Sequence, residues 1–392
     1  MRVNVKYSPF IFFTILLLIA APLHTIKAAG NKPSIQSEAA VLVDAQSGQV
    51  LYEKNSEQKM YPASITKIAT AIYAIENGNL SDMVTISEKA RNVEGTRVYL
   101  EEGEQVPLKK LVQGLMINSG NDAGVAIAEH LSGSIKEFSK DLNAYLAEET
   151  GIQDTTFQNP HGLYNEMHMT TAKDMAKITR YAMENETFRD IFKTTKLKWQ
   201  GESWDTTIFN HHKLVRNHSY KGITGGKNGF VDQAGFTLVT SASRENLNLI
   251  VVTMNAPTDQ ATYSDTTSLL DYGFASFETG KIKEGTIFED SQNHEYTLDE
   301  PLYYTKRIGE EVNPAVSPSG ELTLRNDEEE LIASKHLEPN QQAIAQQKML
   351  SKSAEESRQP SLLEGHLKLL ILLSFGIFSI VAGYFFLQIR KL

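Results

Sequence analysis

The sequence contains no cysteine among its 392 residues. Disulfide bridges, thiolate metal sites and a cysteine nucleophile are therefore excluded, and the composition fits a protein of the cell envelope as well as a cytosolic one. Basic residues are outnumbered, with 38 lysines and arginines against 48 acidic residues and a net charge of −10. Because no basic block with interleaved aromatics occurs, nucleic acid is not expected as a partner.

Membrane signals stand at both ends of the chain. Basic residues precede an apolar run from Phe10 to Leu23, and Ala28 and Ala29 follow it. This order predicts a secretory signal peptide over residues 1–28, with a retained N-terminal anchor as the alternative.

The second apolar run lies near the C-terminus. It covers Leu369–Leu387, 19 residues interrupted only by Ser, Gly, Ala and Tyr, which is enough to cross about 30 Å of hydrocarbon. We expect a transmembrane helix over residues 367–388. Since Arg390 and Lys391 follow directly, the C-terminus should face the cytoplasm and the bulk of the chain the outside.

The stretch from Tyr61 to Gly78 carries the strongest chemical signal. Its isoleucines recur at helical spacing and predict a buried helix that ends at Gly78. Ser64 and Lys67 lie one turn apart on one face of that helix, within hydrogen-bonding reach. A lysine among apolar neighbours has a lowered pKa, so it can take the proton of the serine.

A Ser-x-x-Lys spacing alone is weak evidence. It occurs about once or twice by chance in a chain of this length, and a second match, Ser56 with Lys59, lies in a polar run that favours a solvated loop. For Ser64 taken alone, a helix cap followed by a surface lysine is an equally good interpretation.

Two later polar stretches add to this signal. Ser119 and Asn121 lie between predicted helices over residues 108–116 and 123–131. One interpretation is that Ser119 or Asn121 caps a helix. The alternative is that Ser119 relays a proton while the side chain of Asn121 holds a substrate amide and Lys67. Lys227 lies in a glycine-rich run that predicts either a strand edge approached by a ligand or a hairpin with a solvated lysine.

Histidines give no comparable signal. His161 and His168 fit structural roles in turns better than catalytic ones. His211 and His212 lack further ligands at metal-binding spacing, so no metal site is predicted.

Taken in order, Ser64-Ile65-Thr66-Lys67, Ser119-Gly120-Asn121 and Lys227-Asn228-Gly229 resemble the Ser-x-x-Lys, Ser-x-Asn and Lys-Thr-Gly motifs of low-molecular-mass penicillin-binding proteins of the D-alanyl-D-alanine carboxypeptidase type. The similarity extends from about Ser37 to Phe274. It implies an α+β fold: a β-lactamase/transpeptidase-like domain over residues 35–275, with an antiparallel sheet flanked by helices and a helical subdomain. A small all-β domain over 276–326 and a polar spacer over 327–366 would then lead to the transmembrane helix.

The resemblance also implies roles for single residues. Ser64 would be the nucleophile, Lys67 the base, and the backbone N–H groups of Ser64 and Phe230 the oxyanion hole. The other residues implied for catalysis or substrate binding are Ser119, Asn121, Lys227, Asn228 and Gly229. Arg244 is a candidate second cation for the substrate carboxylate, although no motif fixes it. No cofactor is implied.

The function implied is that of a membrane-bound serine D,D-carboxypeptidase that removes the terminal D-alanine from peptidoglycan stem peptides and is acylated by penicillins and other β-lactams. A serine β-lactamase is a weaker alternative, because the Glu-x-x-Asn which that class needs is missing between Asn121 and Lys227. Asn228 departs from the threonine or serine of the family motif, which leaves open a weakly active or non-catalytic binder of wall peptides.

Overall fold

The computed structural model of this chain describes residues 32–340, 349, 352–353 and 362–389. The predicted signal peptide over residues 1–28 and part of the predicted spacer lie outside the described residues. The chain divides into two compact units. The first comprises Met1–Lys281 with Tyr303–Val312, and the second comprises Ile282–Leu302 with Asn313–Leu392.

A five-stranded sheet forms the middle of the first unit. Its strands run in the order β2-β1-β9-β8-β7 and pair antiparallel. The bounds are β1 Ala39–Asp44, β2 Val50–Lys54, β7 Ile223–Val231, β8 Gly235–Arg244 and β9 Leu247–Ala256. β1 is buried along its whole length, so both faces of the sheet are covered. β7 lies at an edge, where one side of its backbone is left without a strand partner.

Helices pack on the sheet and on one another. They are α1 Lys67–Asn77, α2 Glu88–Arg91, α3 Leu108–Ile117, α4 Asn121–Ser132, α5 Ile135–Thr150, α6 Ala172–Ala182, α7 Glu186–Phe192, α8 Lys213–Asn217 and α9 Asp259–Ser276. Short strands join them: β3 Met83–Thr85, β4 Gln105–Pro107, β5 Lys196–Gln200, β6 Asp205–Phe209, and β10 Phe277–Ile282 with β13 Leu302–Arg307. The first unit therefore has the mixed α+β character expected from the sequence.

The central helix forms as its isoleucine spacing predicts. α1 follows a 3-10 helix over Ala63–Thr66, and Ile68 and Ile72 are completely buried. α1 ends before Gly78, where an added Cβ would lie 2.5 Å from the side chain of Leu108. A residue with a side chain would not fit at this end of the helix.

Other boundaries differ modestly from the predictions. The helices predicted over 108–116 and 123–131 appear as α3 and α4, each slightly longer. α9 begins at Asp259, because the side chain of Thr258 accepts a hydrogen bond from the backbone N–H of Ala261 and caps the helix there.

The second unit consists of small sheets and a long helix. One sheet has the order β11-β12-β17 and another β14-β15-β16, with bounds β11 Ile287–Glu289, β12 Glu295–Thr297, β14 Asn313–Val316, β15 Glu321–Arg325, β16 Leu331–His336 and β17 Glu338–Pro339. The last two strands lie within the segment predicted as a polar spacer over 327–366. Because β16 is held by backbone pairing to β15 while most of its side chains are not buried, its composition resembles that of a solvated segment.

The C-terminal helix α10 spans Leu362–Ile389. Its window His366–Gly383 has a mean hydropathy of 1.9, and the side chains in that window are exposed. Among the described residues this is the helix that is long and apolar enough to cross a membrane.

A turn that contains Gly162 fixes the chain just before α1. Gly162 has a φ of +86°, and a Cβ added there would lie 1.8 Å from the carbonyl oxygen of Ala63. The side chain of Asn159 shapes the turn, since its Oδ1 accepts from the N–H of Gly162 at 2.7 Å and its Nδ2 donates to the carbonyl of Leu163 at 2.9 Å. The position of Ala63 therefore depends on a glycine at residue 162.

Replacing Gly162 with alanine should lower the midpoint of thermal unfolding by about 8 °C or more, since the new Cβ overlaps a backbone oxygen that has no room to move. Thermal unfolding followed by circular dichroism measures the change. Gly103→Ala is the matched control, because Gly103 has a similar φ of +83° and no heavy atom within 4 Å of an added Cβ. That control should lose only about 3 °C. Equal losses in the two variants would mean that backbone conformation, not the contact with Ala63, requires glycine.

Candidate active site

Ser64 and Lys67 meet at the start of α1. Ser64 lies in the 3-10 helix Ala63–Thr66, and Lys67 is the first residue of α1. The Nζ atom of Lys67 donates hydrogen bonds to Ser64 Oγ at 2.9 Å and to the carbonyl oxygen of His161 at 2.6 Å. The structure therefore brings these two residues into direct contact.

The amine of Lys67 is cut off from water. The residue is completely buried, and burial is the largest cause of a pKa that lies well below the usual lysine value. The charge of Lys227 lowers the pKa of Lys67 further, whereas the carboxylate of Asp122 raises it. A larger fraction of Lys67 is therefore in the neutral amine form than would be the case in water. A neutral amine can accept the proton of the hydroxyl beside it.

The backbone of β7 passes directly beside Ser64. A Cβ added to Gly229 would lie 2.6 Å from the backbone nitrogen of Ser64 and 3.1 Å from the Cβ of Ala63. Only glycine permits this approach. Thr237 of β8 supports it with a 2.9 Å hydrogen bond from Oγ1 to the carbonyl of Pro62. Ala63 has a φ of +52°, so the chain turns through a strained conformation just before Ser64.

Lys227, Asn228 and Phe230 lie on the same edge strand. The Nζ atom of Lys227 donates to the backbone carbonyl of Asn228 at 2.7 Å, and burial lowers the pKa of Lys227 to about 7. The Oδ1 atom of Asn228 is buried and has no hydrogen-bond partner among the described residues. Phe230 is 50% exposed and packs on Phe236 with ring centroids 4.6 Å apart, which gives this edge an apolar rim.

Ser119 and Asn121 lie at the junction of α3 and α4, as predicted. Ser119 has a φ of +60° and is buried. The Nδ2 atom of Asn121 donates to the carbonyl of Glu94 at 2.7 Å, and its backbone N–H donates to the carbonyl of Thr96 at the same distance. Asn121 therefore uses its amide N–H to hold a neighbouring segment, and the structure does not pair it with Lys67.

Arg244 lies away from this cluster. Its guanidinium packs over the rings of Tyr220 and Phe274, at 4.6 and 4.4 Å from their centroids. Lys227 pairs with Val239, which is five residues before Arg244 on β8, and five residues of strand span about 17 Å. The structure does not bring Arg244 to the site, because two aromatic rings take up its charge elsewhere.

Two histidines support the site as neutral groups. Burial lowers the pKa of His168 to about 3, and its Nε2 lies 2.9 Å from Thr66 Oγ1. Burial also places the pKa of the His161 ring well below its usual value, while the backbone carbonyl of His161 binds Lys67. No hydrogen bond joins either ring to Ser64 in the part of the chain that the structure describes, in agreement with the structural role predicted for them.

His211 is a nearby residue whose position the sequence did not reveal. Burial, followed by the charges of Lys227, Arg216 and Lys67, lowers the pKa of His211 to about 4, so its ring lies near both lysines. From the sequence, no metal site was predicted at His211 and His212, and no other role was assigned to either residue. Packing of α8 on β7 brings His211 close to the site. No local sequence pattern predicts this contact.

The second Ser-x-x-Lys match forms no comparable pair. Ser56 donates to the carboxylate of Glu53 at 2.8 Å, and Lys59 lies 3.1 Å from the carboxylate of Asp154 with about half of its side chain exposed. Ser56 is buried, contrary to the solvated loop that was expected. Because Lys59 stays exposed and paired with an acid, this match forms no buried contact between a hydroxyl and an amine.

Comparison with known proteins agrees with this geometry. Residues 26–258 match the S11 peptidase family, described as D-alanyl-D-alanine carboxypeptidase. The chain is 34% identical over 321 residues to D-alanyl-D-alanine carboxypeptidase DacF of Bacillus subtilis, covering 76% of this chain and 80% of the relative. It is 36% identical over 273 residues to DacA of Haemophilus influenzae, covering 64% and 65% of the two chains.

Solved structures give the same result. The chain superposes on penicillin binding protein 5 from Haemophilus influenzae with a TM-score of 0.71 at 29% identity, covering 79% of this chain and 98% of the other. This similarity confirms the predicted transpeptidase-like α+β fold. The chain belongs to the S11 peptidase family of D-alanyl-D-alanine carboxypeptidases.

Proposed function

We propose that Ser64 is the nucleophile of this carboxypeptidase and Lys67 its general base. The observation that carries the proposal is the 2.9 Å hydrogen bond between Lys67 Nζ and Ser64 Oγ at a completely buried lysine. Burial disfavours the ammonium form, so Lys67 can take the proton of Ser64 as the oxygen attacks a carbonyl carbon.

The oxyanion that forms in this attack is held by the backbone N–H groups of Ser64 and Phe230. Ser64 lies at the start of a helix, where N–H groups lack intrahelical partners. Gly229 passes close to Ser64 and so places the edge of β7 against it. This contact supports the role of Phe230, the next residue, as the second N–H donor. Fixed N–H donors of this kind stabilise developing negative charge without reorganisation.

The substrate is a peptidoglycan stem peptide that ends in D-alanyl-D-alanine. Its terminal carboxylate needs a fixed cation, and Lys227 supplies one beside Asn228 and Gly229 on the edge strand. Ser119 lies in the second motif and returns a proton to the leaving amine. Asn121 fixes the wall of the cleft opposite β7.

The reaction proceeds in two halves. The oxygen of Ser64 bonds to the carbonyl carbon while its proton moves to Lys67. The C–N bond then breaks, the amine of D-alanine takes up this proton from Lys67 through Ser119, and an ester on Ser64 remains. Water attacks this ester and gives up a proton to Lys67, which is neutral again. As the ester bond breaks, Lys67 returns the proton to Ser64 Oγ, and the shortened peptide leaves with a new carboxyl group that ionises. A β-lactam acylates Ser64 likewise, but its amine stays tethered to the acyl group after ring opening.

The protein acts at the membrane, with its catalytic domain on the extracytoplasmic side. Helix α10 supports attachment, since its exposed apolar window has the length of a membrane span. The orientation rests on the sequence, in which a signal-like N-terminus and the basic pair Arg390-Lys391 after the helix favour a cytoplasmic C-terminus.

Lys67→Ala should reduce acylation of Ser64 by a fluorescent penicillin about a thousandfold while leaving the fold intact, because it removes the base and not the nucleophile. The rate of labelling is measured on intact cells with a penicillin that does not cross the membrane, and peptide mass mapping locates the label. Labelling of the unaltered protein under these conditions also tests whether the catalytic domain lies on the extracytoplasmic side. Lys59→Ala is the control from the other Ser-x-x-Lys match and should label normally. Retained labelling in Lys67→Ala would overturn the assignment of the base.

The pH dependence of D-alanine release should be bell-shaped in kcat/KM. The rate rises as Lys67 loses its proton and falls near pH 7 as the buried Lys227 loses its charge. In kcat the falling limb should lie at higher pH, because a bound carboxylate favours the charged form of Lys227. Lys227→Arg keeps its charge throughout and should remove the falling limb; an unchanged limb in that variant would assign it to another group.

Asn228→Thr should raise turnover about tenfold, because it removes a buried oxygen without a partner and supplies a hydroxyl that can donate to the carboxylate. Asn228→Val is the matched control, with the same shape as threonine and no hydroxyl, and it should not show the gain. Steady-state release of D-alanine from a pentapeptide measures both. No gain from threonine would mean that the site is built around asparagine.

A further inference from the structure

Tyr99 is an exposed aromatic residue on a backbone conformation that disfavours it. Its φ is +56°, in the left-handed region that glycine, asparagine and aspartate tolerate best, and 50% of the residue is exposed. A large side chain kept in such a conformation at the surface indicates a use for that side chain.

The neighbours of Tyr99 fix this conformation. Val98 and Leu100 are buried, and both donate their backbone N–H groups to the carboxylate of Asp122, at 3.0 and 3.2 Å. Ser203 donates from Oγ to the carbonyl of Tyr99 at 3.0 Å. With both flanking residues turned into the core, the ring of Tyr99 is held outward by a backbone that has little freedom.

Two further side chains extend this surface. The ring of Trp204 meets Tyr99 edge to face, with centroids 4.9 Å apart, and the guanidinium of Arg97 lies 5.4 Å from the Tyr99 centroid. The Nδ2 atom of Asn118 donates to the carbonyl of Arg97 at 2.8 Å, which fixes that residue too. We call Arg97, Tyr99 and Trp204 the Tyr99 platform.

The Tyr99 platform is tied to the second motif of the active site. Asn121 holds the carbonyls of Glu94 and Thr96, and Asp122 holds the two residues that flank Tyr99. Tyr99 stands three residues beyond Thr96, which is at most about 10 Å of chain. The Tyr99 platform therefore lies close to residues that the second motif holds in place.

We infer that the Tyr99 platform binds a pyranose ring of the glycan strand to which the stem peptide is attached, an inference that rests on the proposed function. The C–H bonds on one face of a pyranose pack against the electron-rich face of an aromatic ring, and sugar oxygens accept from arginine. The four peptide residues between the cleaved bond and the sugar span about 14 Å when extended, which is longer than the at most about 10 Å of chain between Thr96 and Tyr99.

The first test compares two substrates on the unaltered full-length protein. A disaccharide-linked pentapeptide should be cleaved with a kcat/KM about five- to tenfold above that of the free pentapeptide, the size expected of an aromatic contact. The difference should lie in KM, because the sugar is remote from the reacting carbonyl and binds ground state and transition state alike. Equal kcat/KM values for the two substrates would overturn the inference.

Variants assign the effect to the Tyr99 platform. Tyr99→Asn suits the backbone conformation and should abolish the advantage of the sugar-linked substrate without changing cleavage of the free pentapeptide. Tyr99→Phe keeps the ring and should retain the advantage. Phe209→Thr is the control, since Phe209 is a 47% exposed aromatic on β6, which begins directly after Trp204, and is not part of the Tyr99 platform.

The outcomes separate the two proposals. An equal loss on both substrates in Tyr99→Asn would mean that Tyr99 only supports the second motif, and the inference would fail. If the unaltered protein releases D-alanine from neither substrate, the proposed function fails instead. Calorimetric binding of a disaccharide-linked tetrapeptide then decides: weaker binding to Tyr99→Asn than to Tyr99→Phe supports the Tyr99 platform, and equal binding overturns it.

Discussion

The site depends on an amine held without water. Lys67 is completely buried, and its Nζ has Ser64 and the carbonyl of His161 as hydrogen-bond partners. Removing an ammonium group from water costs several kcal/mol even after relaxation, on the order of 5. The protein offsets part of this cost with the two oxygen partners and with the carboxylate of Asp122, and the remainder appears as a lowered pKa. The same burial that makes Lys67 costly to charge favours the neutral amine that the proposed role as base requires.

Keeping water out requires several chain segments to converge closely, and glycine makes this possible. Gly162 allows the turn that carries His161 to pack against Ala63, and Gly229 allows the edge strand to pass beside Ser64. Ala63 and Ser119 both adopt left-handed backbone conformations at the two walls. Such conformations persist only where surrounding contacts fix them, and here the buried helices and the central sheet do so. The reactive groups are therefore placed by rigid elements, as catalysis at defined distances requires.

Several parts of this arrangement could be predicted because their signals are local. Helical spacing of isoleucines located α1, and one helical turn joined Ser64 to Lys67 before any tertiary contact was considered. Where a signal depended on backbone pairing or on distant packing, the sequence was less informative. Strand β16 is held by its ladder to β15 while most of its side chains are not buried, so its composition suggested a spacer. Arg244 had the right charge, but Tyr220 and Phe274 hold it elsewhere.

By itself, the sequence determined that Ser64 and Lys67 can meet, because a hydroxyl and an amine at i and i+3 share a helix face whatever the rest of the chain does. It also determined the apolar segment near the C-terminus, since its length and composition alone meet the demands of a bilayer. Tertiary structure alone decided which lysine is buried away from water and which strand edge faces Ser64. It also decided that His211 lies near Lys67 and Lys227. The physical reason is that burial and charge proximity are properties of segments brought together from far along the chain, and no window of neighbouring residues contains them.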